Sequence, residues 1–171
     1  GRDAVQAAAR SFGGVNVLIN AAGQNRFSLL EQHDEAAMAA LINLNVTATL
    51  QLTQRLLPLL MQQGRALVVN IGSTFGSIGY PGFATLRGFS EALRREMAET
   101  QVKVLYIAPR ATRTGMNAEN VVAMNNELKV SMDEPLAVAA QVLGAIRGER
   151  EELYLGWPEK FFVKLNGLLP R

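Results

Sequence analysis

RALVVNIGSTFGSIGYPGFATLRGFSEALRREMAETQVKVLYIAP (65–109) decides the fold. It opens on the apolar run Ala66–Ile71, too short for a helix core and ended by Gly72, which reads as a buried strand over 65–73. A glycine-rich loop follows. Then Leu86, Phe89, Leu93 and Met97 recur at helical spacing and predict an amphipathic helix over 86–99. A second apolar run, QVKVLYIAP (101–109), is another strand. Strand, helix, strand in this order predicts a parallel pair with a crossover helix on one face.

The same alternation extends outward. Residues 3–12 are Ala-rich and helical, with Gly13-Gly14 as the C-cap. VNVLINAAG (15–23) reads as a strand. Residues 34–63 carry Leu41, Leu44, Leu52, Leu56 and Leu59 at helical spacing, with Asp34 as N-cap, Gly64 as the stop and Pro58 as an expected kink. Residues 111–132 read as a long loop with some helix, 134–148 as a helix with Pro135 in its first turn, and 151–156 as a fourth strand. The expected architecture is α/β: one domain over 1–171, a doubly wound parallel sheet with helices on both faces, in three layers.

Composition narrows the function classes. Of 171 residues 49% are hydrophobic and 19% charged, the balance of a folded core and not of a disordered chain. The net charge is +2 and the basic residues are scattered, which argues against a nucleic-acid surface. With no Cys there is no disulfide framework or thiolate metal site, and with one His (His33, expected in solvent before a helix) no multi-His metal centre or serine–histidine triad is expected. No uninterrupted apolar run is long enough to predict a membrane-spanning helix. The tail WPEKFFVKLNGLLPR (157–171) is apolar with scattered Lys and Arg. It reads as a packed C-terminal segment, with contact to a membrane surface or a partner as the alternative.

Ligands of such sheets bind beyond the carboxyl ends of the strands. Three of those ends carry polar or glycine chemistry: NAAG (20–23), GSTFG (72–76) and PRATRT (109–114). Together with NLNVTATLQLTQRLLPLL (43–60) and LRGFSEALRREM (86–97), in this order, they resemble the short-chain dehydrogenase/reductase family along essentially the whole chain. The resemblance implies a Rossmann-like fold and a cytoplasmic NAD(P)(H)-dependent oxidoreductase. It would act on a carbonyl or secondary alcohol and form a homodimer or homotetramer. A catalytically inactive relative that binds a dinucleotide or a partner is the alternative. By the same resemblance Ser73 is the hydroxyl that polarises the substrate oxygen and Asn45 the proton-relay residue. Asn20, Ala21 and Gly23 would border the adenosine half of the cofactor, Ile71 would line its site, and Pro109, Arg110, Thr112 and Thr114 would meet the nicotinamide. Arg110 stands where the family usually has Gly, so its side chain is expected to face the cofactor entrance.

One family element is missing. In much of the family a catalytic Tyr, with Lys four residues on, lies thirteen positions after the Ser; from Ser73 that position is Leu86. Tyr80, Tyr106 and Tyr154 are followed four on by Ala84, Arg110 and Pro158, so none supplies the pair. Removing seven residues after Thr85 brings both flanks into register. The expectation is therefore a chain break between Thr85 and Leu86, with Thr85 as an N-cap if the chain is unbroken. The family's Gly-rich first turn has no counterpart in the sequence, and two βα units are expected before Gly1. Without them an apolar sheet edge should be exposed. Met116, Met124 and Met132 could line an apolar substrate pocket or simply fill gaps.

Overall fold

The computed structural model describes residues 1–24, 34–74, 83–115 and 131–168. Chain order is α1 (Arg2–Ser11), β1 (Val17–Asn20), α2 (Glu35–Ile42), a π-helical turn (Asn43–Thr47), α3 (Ala48–Met61), β2 (Ala66–Ile71), α4 (Phe83–Glu96), β3 (Val102–Ala108), α5 (Pro135–Arg147), β4 (Glu152–Tyr154) and α6 (Glu159–Leu168). The four strands form one parallel sheet in the order β1-β2-β3-β4. It is the expected Rossmann-like arrangement of sheet and crossover helices.

Side-chain alternation along the strands builds two cores. Ala66, Val68, Val102 and Val104 face Leu56, Leu60, Leu93 and Met97 of α3 and α4. Leu67, Val69, Leu105 and Ile107 face Ala145 of α5. Both faces of β2 and β3 are therefore buried, which is why these strands read as unbroken apolar runs. β1 differs: Leu18 is buried, but Val17 and Ile19 are about half exposed, at 43% and 50%. Their sheet partners Leu67 and Val69 lie on the α5 face and are covered. The expected bare apolar edge is thus present among the described residues.

The helix ends follow local chemistry. Asp34 accepts from the Ala36 and Ala37 backbone N–H groups, the N-cap read in the sequence. Gly13 and Gly14 take positive φ values of 83° and 137° after α1, and the Gly14 N–H donates to Ala9 O. The irregularity in the long helix falls at the π-helical turn Asn43–Thr47, and Pro58 is carried inside α3. The combined helix Glu35–Met61 is long and apolar enough, by length and composition, to cross a membrane, a property the run-length reading missed. Within it Thr49, Thr53, Leu56 and Leu60 are buried, with Leu56 and Leu60 packed against the sheet.

Leu86 lies within α4, Phe83–Glu96, so the alternative reading of Thr85 as the N-cap of this helix does not hold. Seven residues make nearly two helical turns, so the apolar face keeps its phase with or without them. Leu86, Leu93 and Met97 are buried as the sequence required.

Candidate active site

The carboxyl ends of β1, β2 and β3 lie side by side, and each carries one of the three polar stretches. After β2, the Gly72 N–H donates to Ile107 O at 2.8 Å and the Thr74 N–H to Pro109 O at 3.3 Å. The Ser73 loop therefore runs alongside the start of the 109–114 stretch. Ser73 is half-buried, at the rim of the sheet.

Tyr106 fixes this loop. Its hydroxyl donates to Ser73 O at 3.1 Å and accepts from the Ser73 N–H at 3.4 Å. The ring is fully buried, beside Leu86 and Ala108 and edge-on to Tyr154. A Cβ on Gly72 would overlap the Tyr106 ring and hydroxyl, so the close approach requires glycine there. Burial pushes the Tyr106 pKa up to about 12, against the opposing pull of the Ser73 backbone. At neutral pH the group is a hydrogen-bond anchor, not an acid or base. The sequence search set Tyr106 aside for lack of a lysine four on; its parity along β3, shared with buried Val104, was the signal that it points toward α4.

Asn45 sits in the π-helical turn and clamps the β1 loop. Its Oδ1 accepts from the Gln24 N–H at 2.8 Å and its Nδ2 donates to Gln24 O at 2.9 Å. A Cβ on Gly23 would come within 3.3 Å of the same Oδ1, so a small residue suits the loop. The amide is engaged at both ends and positions the 21–24 loop, while the irregular turn that carries Asn45 is the kink expected at this residue. Ala21 and Gly23 remain at the strand end, exposed and half-buried.

The Asn20 side chain is not at the cofactor face. It is buried and donates to Thr53 Oγ1 at 3.1 Å and Asn70 Oδ1 at 2.8 Å. Asn70 in turn donates to Ser90 Oγ at 2.8 Å, and Ser90 to Leu86 O at 2.7 Å. This buried relay ties β1, α3, β2 and α4 together below the strand ends, and every member needs its neighbour. The polar Asn70 within an apolar strand was its sequence signal. Ile71 also belongs to the interior, packed against the core under α5.

The Arg110 guanidinium makes a bidentate pair with Asp133, Nε to Oδ2 at 2.9 Å and Nη2 to Oδ1 at 2.6 Å. Its aliphatic stem lies against Gly156, where a Cβ would collide with it. Asp133 also bridges to Thr112, accepting from the Arg113 N–H and donating to Ala111 O, each at 2.9 Å. The Arg113 Nε pairs with Glu134 Oε1 at 2.9 Å. Thr112 donates to Arg110 O, and Thr114 is exposed. Met132 is half-buried. Met116, Met124, Tyr80 and His33 lie outside the described residues.

The Arg110 hydrogen bonds hold the Asp133 carboxyl below the ordinary carboxylate range, and they outweigh its partial burial. A depressed acid stabilises the fold above its unfolded pKa, about 3.9, and this stabilisation is lost as pH falls through the lower folded value. The hydrogen-exchange protection factors of the Arg113 and Asp133 amides, taken relative to the intrinsic rate at each pH, should fall in acid in the native protein. In D133N they should be low already at neutral pH; equal protection of both proteins at neutral pH would contradict the clamp.

A parallel Rossmann-like sheet with a serine and two small-residue loops at its carboxyl edge defines the class of nucleotide-dependent α/β proteins. The profile of the short chain dehydrogenase family matches residues 2–125, and the chain belongs to that family. It is 29% identical over 164 residues to a 3-oxoacyl-acyl-carrier-protein reductase of Vibrio cholerae, covering 89% of this chain and 63% of that protein. It is 32% identical to a bovine 3-oxoacyl-acyl-carrier-protein reductase, covering 70% of this chain and 52% of the relative. The chain thus spans about half to two thirds of the length of these relatives. Among solved structures, a short-chain dehydrogenase of Streptomyces avermitilis superposes with a TM-score of 0.82 at 28% identity, over 98% of this chain and 71% of that one. A Burkholderia cenocepacia short chain dehydrogenase in complex with NADP gives 0.77 at 26% identity, over 98% of this chain and 70% of that one.

Proposed function

We propose that this chain carries the substrate side of an NAD(P)(H)-dependent oxidoreductase acting on a carbonyl or secondary alcohol. The observation that supports it most is the meeting of Ser73 with the Pro109 stretch at the carboxyl edge of a short-chain dehydrogenase sheet. The residues present fit a dinucleotide. Ala21 and Gly23 leave the β1 end uncrowded for the adenosine half, and Pro109, Thr112 and Thr114 at the β3 end would meet the nicotinamide. Among the described residues the guanidinium groups nearest that edge, Arg110 and Arg113, are paired with Asp133 and Glu134 and form no phosphate cradle. When bound, the nicotinamide supplies the hydride. Ser73 would donate a hydrogen bond to the substrate oxygen, and the Asn45 clamp would hold the β1 loop in place. The reading puts the protein in the cytoplasm as a homodimer or homotetramer.

A second reading is a relative that binds a dinucleotide or a partner without turnover. One observation favours it: the sequence given has no Tyr-x-x-x-Lys pair after Ser73, and Tyr106, which holds the Ser73 loop, is buried. Titrating the protein with NADPH and NADH by nucleotide fluorescence, and following nucleotide absorbance with a panel of ketones headed by a 3-oxoacyl thioester, separates the two. Turnover supports the enzyme. Binding without turnover supports the second reading, and neither binding nor turnover refutes both.

A further inference from the structure

The C-terminal helix α6 does not join either core. Trp157, Phe161, Leu165 and Leu168 are exposed at 69%, 49%, 38% and 79%. Within α6 the spacing of Phe161, Leu165 and Leu168, four and then three residues, places these three on one stripe, and Trp157, just before the helix, joins it through Phe161. The Trp157 and Phe161 rings lie 6.0 Å apart and form its head. Four large apolar side chains in one exposed stripe differ from the isolated surface hydrophobics of ordinary domains.

Two lysines run beside the stripe. Lys160 and Lys164 are one helical turn apart, both exposed, and neither forms an ion pair among the described residues. They line a cavity of about 690 Å³ between α6 and the β4 edge, together with Arg87, Tyr154 and Glu152. Glu152 is already paired with Arg87 at 3.2 Å. The groove beside the stripe therefore carries three cations and one neutralised acid.

We propose that α6 is a peripheral membrane contact for a surface of anionic phospholipid. The stripe would enter the boundary between headgroups and acyl chains, and Lys160 and Lys164 would meet the lipid phosphates. Tryptophan and lysine are the side chains that favour this boundary, the one for its amphipathic ring and the other for its long stem and charged end. The ten described residues of this helix span about 15 Å, half of the hydrocarbon thickness, the length of a surface contact. A second copy of the chain is the weaker occupant, because docking stripe on stripe would bring Lys160 and Lys164 of both copies together.

The test uses the intact chain, and it does not rest on the enzymatic reading. Trp157 is the sole tryptophan, so its emission reports directly on this surface. With vesicles of phosphatidylcholine containing phosphatidylglycerol, its emission should shift to the blue and the protein should co-sediment, less so as salt rises. Binding should weaken about 30-fold in the double variant Lys160→Gln, Lys164→Gln. Equal binding to vesicles of phosphatidylcholine alone overturns the proposal. A blue shift that needs no lipid and grows with protein concentration overturns it in favour of self-association. An emission that ignores vesicles overturns it outright.

Discussion

Exchanging Ser73 for alanine is expected to lower kcat on a carbonyl substrate by about 10²–10³, with nucleotide affinity nearly unchanged. The magnitude is that of removing one preorganised donor from a developing oxyanion, about 2.7–4 kcal/mol of transition-state stabilisation. The fold should tolerate the change. The bonds between Ser73 and Tyr106 run through the Ser73 backbone N–H and carbonyl, and alanine keeps both. Neighbouring Gly72 and Thr74 are likewise held through their N–H groups. A drop in kcat with an unchanged circular dichroism spectrum and melting temperature would therefore report on chemistry. Unchanged turnover would remove Ser73 from the mechanism. A loss of nucleotide binding as large as the loss of kcat would make it a cofactor residue instead.

How far the sequence reached depends on what each residue's neighbours demand. Strand and helix assignments held where burial was two-sided or one-sided in a regular period, as in Ala66–Ile71 and in Leu86, Leu93 and Met97. Asp34 held because an N-cap is local chemistry. Functional assignments carried over by resemblance fared differently when a side chain had a stronger option nearby. Arg110 found Asp133, which is 23 residues away, and is held by it. Nothing in the local sequence announces that partner. Asn20 was absorbed by a buried relay through Asn70 and Ser90, since a buried amide without partners costs about 1–3 kcal/mol. Asn45 kept its place in an irregular helical turn, yet its amide is engaged by Gln24. The segment after Thr85 was the least legible. Seven residues are nearly two turns, so the helix face reads the same with or without them and periodicity alone does not decide.

Tyr106 carries the second large expectation. Truncating it to alanine should destabilise the fold by about 3–5 kcal/mol, the range for emptying a large aromatic from a packed core. The side chain is fully buried, and the cavity would open between Leu86 and Ala108, where α4 meets β3. For a chain of this size each kcal/mol moves the midpoint of melting by about 2–4 °C, so a fall of roughly 6–20 °C is expected. Tyr106→Phe separates the ring from the hydroxyl. It keeps the packing and removes only the bonds to Ser73, at about 1 kcal/mol. If Ser73 acts on the substrate, this milder variant should still lower kcat more than KM, because the loop that presents Ser73 has lost its anchor. Gly72→Ala supplies the cross-check. Its added Cβ collides with the Tyr106 ring and hydroxyl, so it should be strongly destabilising alone and far less so in the Tyr106→Ala background. Additive effects of the two exchanges would break the link between Gly72 and Tyr106. A Tyr106→Phe variant as unstable as Tyr106→Ala would mean that the hydroxyl, and not the ring, holds this corner of the sheet.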